Sequence, residues 1–263
     1  LNIVVMNIMK GILVDLEGVI YLGENVIEGA TNAIKKIKAK NIQIRCLTNT
    51  TTAPREIILK KLKNLDIPAN IDEIFTPVIA ANNYLNNLKI SKIFLLADES
   101  LKSDFKNFVF EEKKPEAIIL GDIYKKFNWD KLNQVFQLIN KHNSLIIALH
   151  KNRYCKREED ISLDLGPFVK ALEFASSREA IVMGKPEKNF FNLAMQDMNL
   201  KNTEVMMIGD DILSDILGAK NNDIFAIQVK TGKYQIGDES DKYEQPDQRI
   251  NSIKDLPVLM SIN

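Results

Sequence analysis

The composition of this chain has little that would assign it to a specialised class. Only two cysteines, Cys46 and Cys155, occur among 263 residues, and they are far apart in the sequence. Neither a disulfide framework nor a cysteine metal site is therefore expected, and this usage fits a reducing cytoplasm. Lysine plus arginine and aspartate plus glutamate both number 35, so no net charge draws the chain to nucleic acid or anionic lipid.

Long apolar runs and leader signals are also missing. No apolar run approaches the roughly 20 residues that cross a bilayer. Residues 1–9 lack the charged start and small-residue cleavage site of a signal peptide, and Met6 or Met9 is a candidate for the true start. No G-x-G-x-x-G opens a helix, which argues against a dinucleotide-binding dehydrogenase. We expect a cytoplasmic protein with no nucleic-acid or membrane partner.

Short apolar runs alternate with amphipathic stretches along the chain, which is typical of an α/β fold with a parallel sheet between helices. The pattern predicts strands at 10–14, 42–47, 92–96, 117–120, 145–149, 205–208 and 224–229. It predicts helices at 30–40, 55–65, 78–88, 101–107, 129–142, 188–198 and 212–220. Residues 232–249 lack apolar periodicity and are predicted to form a surface loop.

The alternation starts again near residue 77, which indicates an inserted domain. We therefore expect a discontinuous core of residues 1–76 and 181–263, with a second α/β domain at 77–180.

Four polar motifs follow or adjoin the apolar runs. They are 15–19 (DLEGV), 47–51 (LTNTT), 183–186 (MGKP) and 207–215 (MIGDDILSD). Each motif alone is adequately explained as a turn or a helix cap. Their occurrence together, each beside an apolar run, favours convergence at one sheet edge, because ligands bind at the carboxyl ends of parallel strands.

This set of motifs resembles the haloacid dehalogenase (HAD) superfamily, whose members are mostly Mg²⁺-dependent phosphohydrolases. The stretches 149–154 (LHKNRY), 165–168 (LGPF) and 229–234 (VKTGKY) extend the similarity to nearly the whole chain and to the NagD-like subfamily IIA. The resemblance implies a Rossmann-like parallel-sheet core with a large α/β cap inserted between the second and third motifs. Caps of this subgroup often mediate dimers, so a homodimer is one expectation.

The residues themselves suggest how phosphoryl transfer would proceed. Asp15 is the candidate nucleophile, because a carboxylate with a reference pKa of about 3.9 is ionised at neutral pH and needs no activating base. Attack on phosphorus would form an aspartyl phosphate that water then cleaves. Asp15, Asp210 and the backbone carbonyl of Glu17 would supply oxygen ligands for Mg²⁺. Asp211 and Asp215 are one helical turn apart, so one would orient a metal-bound water while the other supports the loop.

Hydrogen-bond donors and a cation complete the predicted site. Thr48 and Asn49 would donate to the phosphoryl oxygens, and Lys185 would supply a positive charge. The resemblance implies the same roles at these positions. The expected substrate is a small phosphorylated metabolite.

Glu17 departs from the family pattern, which usually has aspartate two residues after the nucleophile as general acid and base. Glutamate keeps the carboxyl group but adds one methylene. A displacement of about 1 Å can cost about 100-fold in rate, and loss of general acid–base help costs about 10²–10⁴-fold. We therefore expect a slow phosphatase that favours good leaving groups.

Substrate choice is expected to lie with the cap, because the core motifs contact only the phosphate. The candidates lie at the ends of predicted cap strands and are Asp122, His150, Lys151, Arg153 and Tyr154. Two alternatives stay open: His150 as a packed loop histidine, and the basic run after it as a solvated turn.

Three rival interpretations remain for the whole chain. A phosphate-binding or regulatory protein with weakened catalysis is permitted by Glu17. A phosphorylation-receiver domain uses similar residues but is about half this length and has no insertion. A dehalogenase would use Asp15 on carbon without a metal, and would leave Asp210, Asp211 and Asp215 unexplained.

Overall fold

The structure is a computed structural model that describes residues 9–157 and 160–262. The chain divides into two compact units. The first unit holds the described residues up to Thr48, the segment Arg55–Phe75 and the described residues from Lys185 onward. The second unit holds Asn49–Pro54 and Thr76–Gly184.

Elements are numbered along the chain. The strands are β1 (Gly11–Asp15), β2 (Tyr21–Leu22), β3 (Asn25–Val26), β4 (Gln43–Leu47), β5 (Ile74–Phe75), β6 (Lys92–Leu96), β7 (Val109–Phe110), β8 (Ala117–Leu120), β9 (Leu145–Ala148), β10 (Tyr154–Arg157), β11 (Asp160–Leu163), β12 (Ile181–Val182), β13 (Val205–Gly209), β14 (Phe225–Val229) and β15 (Gln248–Ile250). The α-helices are α1 (Ala30–Ala39), α2 (Arg55–Asn64), α3 (Pro77–Asn87), α4 (Trp129–His142), α5 (Leu165–Ser176), α6 (Lys188–Met198), α7 (Leu217–Lys220) and α8 (Leu256–Leu259).

The first unit is built on a six-stranded parallel sheet in the order β15-β14-β13-β1-β4-β5. From β1 the chain adds β4 and β5 on one side, and later adds β13, β14 and β15 on the other. The strand order therefore reverses between β1 and β13. All five residues of β1 are buried, as expected for a central parallel strand covered on both faces.

Apolar side chains on one face of this sheet pack against helix α1. Ile12 and Val14 of β1 join Ile208 of β13 and the helix residues Ile34 and Ile37 in one buried cluster. Burying each such side chain contributes roughly 1.5–3 kcal/mol. This packing fixes β1 and β13 side by side, so that both strands end at the same edge.

The second unit has its own five-stranded parallel sheet in the order β12-β9-β8-β6-β7. Helices α4 and α5 cover one face, with Val135, Ile139 and Val169 packed on the strand residues Ile118 and Ile146. A separate antiparallel hairpin pairs β10 with β11. The α/β class predicted from the alternation is confirmed, and its parallel sheet occurs twice.

Several predicted elements differ from the structure. The surface loop predicted at 232–249 is wrong at its end, because Gln248–Ile250 forms edge strand β15, whose three residues are too few to display periodicity. The helix predicted at 101–107 is only a 3₁₀ turn over Glu99–Ser103. The helix predicted at 212–220 begins as a π turn over Ile212–Ile216 before α7.

Within the two described ranges, no helix is both long enough and apolar enough to cross a membrane.

Candidate active site

Two aspartates lie at the carboxyl ends of neighbouring strands, at the point where the order of the first sheet reverses. Asp15 is the last residue of β1 and lies opposite Leu47 of β4. Asp210 directly follows Gly209, the last residue of β13. Ligands of open α/β sheets bind outside the carboxyl ends of the strands at such a reversal.

Asp15, Asp210 and Asp215 form an acidic cluster. One carboxylate oxygen of each lies within 4.8 Å of those of the other two. The ammonium nitrogen of Lys185 lies 2.7 Å from Asp15 Oδ1 and 2.7 Å from Asp215 Oδ1. The side chains of Lys185 and Asp215 are only 4% and 0% exposed. The structure therefore brings the first, third and fourth sequence motifs together.

Burial sets the electrostatics of this cluster. It raises the pKa of the Asp15 carboxyl even though Lys185 opposes the shift. It likewise raises the pKa of Asp210 and of Asp215 to about 6. Burial opposes protonation of Lys185, but the two neighbouring carboxylates outweigh it and raise the pKa of that ammonium group. Three carboxylates around one ammonium leave a negative centre that favours a further cation.

The two oxygens of Asp210 test whether a metal ion fits this cluster. Its Oδ2 accepts a hydrogen bond of 2.7 Å from the backbone N–H of Lys233. Its Oδ1 is buried and has no hydrogen-bond partner in the described chain. A buried carboxylate oxygen without a partner costs free energy, and a hard divalent cation such as Mg²⁺ would satisfy it. The donor set therefore fits such an ion.

Asp211 lies beside the cluster, and its contacts differ from those of the three clustered aspartates. One of its oxygens accepts hydrogen bonds from the backbone N–H groups of Leu213 and Ser214. The other oxygen pairs with the ammonium group of Lys233 at 2.9 Å. Burial opposes ionisation, but these contacts lower the pKa of Asp211. Asp211 thus braces the loop that carries Asp210.

Residues 231–233 contact the site, but the sequence analysis did not predict them as site residues. It used that stretch only as a point of similarity to the family. The hydroxyl of Thr231 donates to the backbone carbonyl of Gly18 at 2.5 Å, and Lys233 contacts Asp210 and Asp211 as described above. The available signal was a Gly-Lys pair just after a predicted strand, which a parallel sheet brings to the same edge.

Two glycines in these loops cannot be replaced without disturbing Asp210. Gly18 and Gly232 have φ of +86° and +61°. A Cβ placed on Gly18 would lie 2.0 Å from Asp210 Oδ2, and one on Gly232 would lie 2.1 Å from it. Both positions therefore need glycine for its conformation and for the close approach.

The Glu17 side chain is exposed and hydrogen-bonded to the β2–β3 hairpin. Its Oε1 accepts a hydrogen bond of 2.8 Å from the backbone N–H of Gly23. The carboxyl group predicted to act as acid and base is thus engaged with the turn of that hairpin.

The two phosphate-binding residues predicted in the second motif, Thr48 and Asn49, belong to different units. Thr48 is buried in the first unit, where its backbone N–H donates to the carbonyl of Phe75 at 3.2 Å. Asn49 belongs to the second unit. Their predicted role in phosphate binding stays a prediction.

The predicted cap residues have varied surroundings within the second unit. His150 is buried, with Nε2 3.6 Å from Asp164 Oδ1. Lys151 donates to Glu173 at 2.6 Å, and Arg153 is exposed on the wall of a cavity. The Lys151 contact is structural, and roles for these three residues in substrate choice stay predictions.

Comparisons with known proteins find relatives over most of the chain. A model described as haloacid dehalogenase-like hydrolase matches residues 12–111, and one described as HAD-hydrolase-like matches 182–256. The chain is 38% identical over 231 residues to haloacid dehalogenase-like hydrolase domain-containing protein 2 of Mus musculus, covering 88% of each chain. It is 34% identical over 253 residues to the phospholysine phosphohistidine inorganic pyrophosphate phosphatase of Xenopus laevis, covering 94% of this chain and 93% of that one.

The solved structure of NagD from E. coli shares the fold. Its TM-score is 0.83 at 19% identity, and the match covers 94% of this chain and 97% of NagD.

The chain belongs to the haloacid dehalogenase-like hydrolase family. Within it, the chain is a member of the NagD-like subfamily IIA, with a Rossmann-like core and a large inserted α/β cap, and is an enzyme of the phosphatase class.

Proposed function

We propose that the chain is a Mg²⁺-dependent phosphohydrolase that cleaves a small phosphorylated metabolite through an aspartyl phosphate on Asp15. The observation that carries the proposal is the acidic cluster with its bridging lysine. Asp15 and Asp215 each lie 2.7 Å from the same buried ammonium group, next to an Asp210 oxygen that has no partner in the described chain.

Lys185 would have two effects on the nucleophile. Its positive charge opposes the effect of burial and favours the ionised form of Asp15, which is the form that attacks. The same ammonium group would offset charge on the phosphoryl oxygens in the transition state. A bond would form between an Asp15 oxygen and phosphorus while the bond from phosphorus to the leaving oxygen breaks.

Asp15, Asp210 and the backbone carbonyl of Glu17 would hold the metal. Asp215 would act from outside, because its Oδ1 contacts Lys185 and its Oδ2 accepts from the backbone N–H of Asp211. When bound, Mg²⁺ would supply the positive charge that lets an anionic phosphate approach these carboxylates.

Glu17 would protonate the leaving group and then take a proton from the water that cleaves the aspartyl phosphate. To do so it must release the Gly23 N–H that it binds. This contact and the longer side chain support slow turnover. Substrates whose leaving group needs little protonation would suffer least.

The substrates proposed for testing follow from that argument. Aryl phosphates and pyrophosphate have good leaving groups, and pyrophosphate also appears in the name of the Xenopus relative. Sugar phosphates and nucleotides, with poorer leaving groups, should be cleaved more slowly.

The test measures phosphate release from p-nitrophenyl phosphate and from pyrophosphate, with Mg²⁺ and with chelator. We expect Asp15→Asn to reduce release by about 10³-fold or more, because the nucleophile is removed. The control is Asp241→Asn, which changes an exposed aspartate. Equal rates for Asp15→Asn and the unchanged protein would overturn the proposal.

A second candidate function is a phosphate-binding or regulatory protein with weakened catalysis. It is favoured by the hydrogen bond that holds Glu17 on the hairpin. A phosphoryl label that persists on the unchanged protein, is absent from Asp15→Asn and is not released over hours would select this function.

A further inference from the structure

Gln228 of β14 is a fully buried polar residue that neither the sequence motifs nor the proposed reaction uses. In the register of the first sheet it lies opposite Gly209, the last residue of β13. Asp210, one of the proposed metal ligands, directly follows Gly209. The pairing of β13 with β14 therefore brings the Gln228 side chain to the backbone that carries a metal ligand.

The carboxamide of Gln228 is hydrogen-bonded through both of its polar atoms. Its Nε2 donates to the backbone carbonyl of Asp210 at 3.2 Å and to Asp238 Oδ2 at 2.9 Å. Its Oε1 accepts a hydrogen bond of 3.0 Å from Nε of Arg249. A buried polar side chain needs such partners, and this one has a partner for each of its two N–H groups and for its oxygen.

Arg249 and Asp238 decide which way the carboxamide faces. The Nε–H of an arginine can only donate, and an ionised carboxylate can only accept. Gln228 must therefore turn its oxygen toward Arg249 and its nitrogen toward Asp238. The remaining N–H group then faces the carbonyl of Asp210. A flipped carboxamide would place its oxygen against two acceptors and its nitrogen against a donor.

Asp210 is thus held through its side chain and through its backbone. The backbone N–H of Lys233 donates to its Oδ2 at 2.7 Å, and Gln228 donates to its backbone carbonyl. Together these contacts fix the direction in which Asp210 presents Oδ1 to the acidic cluster. Groups that hold a metal ligand in this way contribute to metal affinity, and their replacement typically costs 10- to 100-fold.

We propose that Gln228 is a positioning residue for the metal site, which holds the backbone of Asp210 so that the carboxylate meets Mg²⁺ in the correct orientation. The inference rests on the proposed Mg²⁺-dependent reaction and adds to it a residue that acts through Asp210 rather than on the reacting atoms. It also connects the polar segment 235–249 to the site, because Asp238 and Arg249 orient the carboxamide.

The test is calorimetric titration of the full-length protein with MgCl₂ in the absence of substrate. Gln228→Met keeps the approximate length of the side chain but removes its hydrogen bonds without adding charge. We expect the Kd for Mg²⁺ to rise by about 10- to 100-fold. The Mg²⁺ concentration that gives half-maximal phosphate release from p-nitrophenyl phosphate should rise with it.

The matched control is Gln245→Met, in the same hydrogen-bond network. The Oε1 of Gln245 accepts from Nη2 of Arg249 at 2.6 Å. Its Nε2 donates to three backbone carbonyls of the same segment, those of Asp238, Ser240 and Tyr243. This variant loses as many hydrogen bonds as Gln228→Met but leaves the contact with Asp210 in place. It should bind Mg²⁺ as the unchanged protein does.

Melting temperatures in chelator show which variants are folded. Gln228→Asn serves if Gln228→Met does not fold, because it keeps a polar carboxamide but withdraws it from the Asp210 carbonyl by one methylene. Its Kd for Mg²⁺ should also rise by about tenfold or more. A folded Gln228 variant that binds Mg²⁺ as tightly as the unchanged protein would overturn the inference. So would an equal loss of affinity in Gln245→Met, because the effect would then come from the segment as a whole.

Phosphate release separates these outcomes from a failure of the proposed function. If the unchanged protein binds Mg²⁺ at Asp210 but releases no phosphate, the phosphohydrolase proposal is wrong, while a raised Kd in Gln228→Met would still support the positioning role. If the unchanged protein releases phosphate and the Gln228 variants keep its Kd, only the positioning role is wrong.

Discussion

The carboxylate of Asp210 is held by backbone groups that have no room for side chains. At Gly232, where φ is positive, a Cβ would lie 2.5 Å from the Cα of Gly18 as well as 2.1 Å from Asp210 Oδ2. Gly232→Ala would force either the loop or the carboxylate to move. Since shifts of about 1 Å in a catalytic group cost about 100-fold in rate, we expect a loss of that order in phosphate release.

The control for this substitution is Gly237→Ala. Gly237 lies in the same segment, but a Cβ there meets nothing within 4 Å. Its turnover should match that of the unchanged protein. Full activity in both Gly232→Ala and Gly237→Ala would mean that the position of Asp210 is not critical to the reaction.

Glu17 gives a second prediction for a single side chain. Glu17→Asp removes one methylene and should weaken the hydrogen bond from the Gly23 N–H. The carboxyl group would then be free to lie nearer the reacting atoms. We expect kcat with p-nitrophenyl phosphate to rise by about 10- to 100-fold, the cost assigned to misplacement. Glu24→Asp in the neighbouring hairpin is the control. An unchanged kcat for Glu17→Asp would show that the extra methylene is not the handicap.

Single residues also show what the sequence could predict about the site. Asp15, Lys185, Asp210 and Asp215 lie together, and each had a local signal: a polar residue beside an apolar run. Residues 231–233 had a weaker signal, because their contact with Asp210 requires β14 to lie next to β13. That adjacency is a property of the sheet order, which no local pattern contains.

Among whole elements, helix α5 was absent from the sequence prediction although Leu165, Val169 and Leu172 bury one side of it. Its first turn contains Gly166 and Pro167, which locally favour a turn rather than a helix. In the structure Asp164 accepts from the backbone N–H of Leu165 at the helix start, and proline is tolerated in a first turn. Packing of Val169 and Leu172 on the sheet then stabilises the helix. Helices α4 and α6 were predicted with the bounds that they have.

Helix α5 also carries an ion pair whose strength should depend on pH. Glu173 is buried and accepts hydrogen bonds from Lys151 and from the backbone N–H of Ala180, and it also pairs with Lys170. Burial opposes ionisation, but these contacts lower its pKa to about 2. A folded-state pKa below the unfolded value contributes stability above the unfolded pKa, and that contribution is lost as pH falls toward the folded value.

We therefore expect Glu173→Gln to lower the free energy of unfolding by about 2 kcal/mol near neutral pH. The difference from the unchanged protein should shrink as the pH falls from about 4.5 toward about 2. Urea denaturation at a series of pH values would measure it, with the exposed Glu112→Gln as control. A difference that stays constant across this range would mean that charge at Glu173 does not stabilise the unit.

The whole molecule should respond to a metal ion through the acidic cluster. An ion that binds only the folded chain stabilises it in proportion to the logarithm of its concentration over Kd. At about a hundredfold excess of Mg²⁺ over Kd, the melting temperature should rise by about 5–10 °C.

Asp210→Asn should abolish most of this shift, because it removes one ligand charge and alters the oxygen that lacks a partner. Asp241→Asn should leave it intact. The measurement is differential scanning calorimetry with and without chelator. If Asp210→Asn keeps the full shift, Mg²⁺ binds elsewhere.

The loop at residues 231–233 has a consequence for folding of the site during translation. The hydroxyl of Thr231 reaches a carbonyl 213 positions earlier in the chain, and Lys233 provides the N–H that seats Asp210. The ribosome therefore synthesises Asp15 long before it synthesises Thr231 and Lys233. A nascent chain released before Thr231 would already carry Asp15 and Lys185, yet it would leave Asp210 unsupported. The surroundings of Asp210 are therefore complete only after Thr231 and Lys233 have been translated.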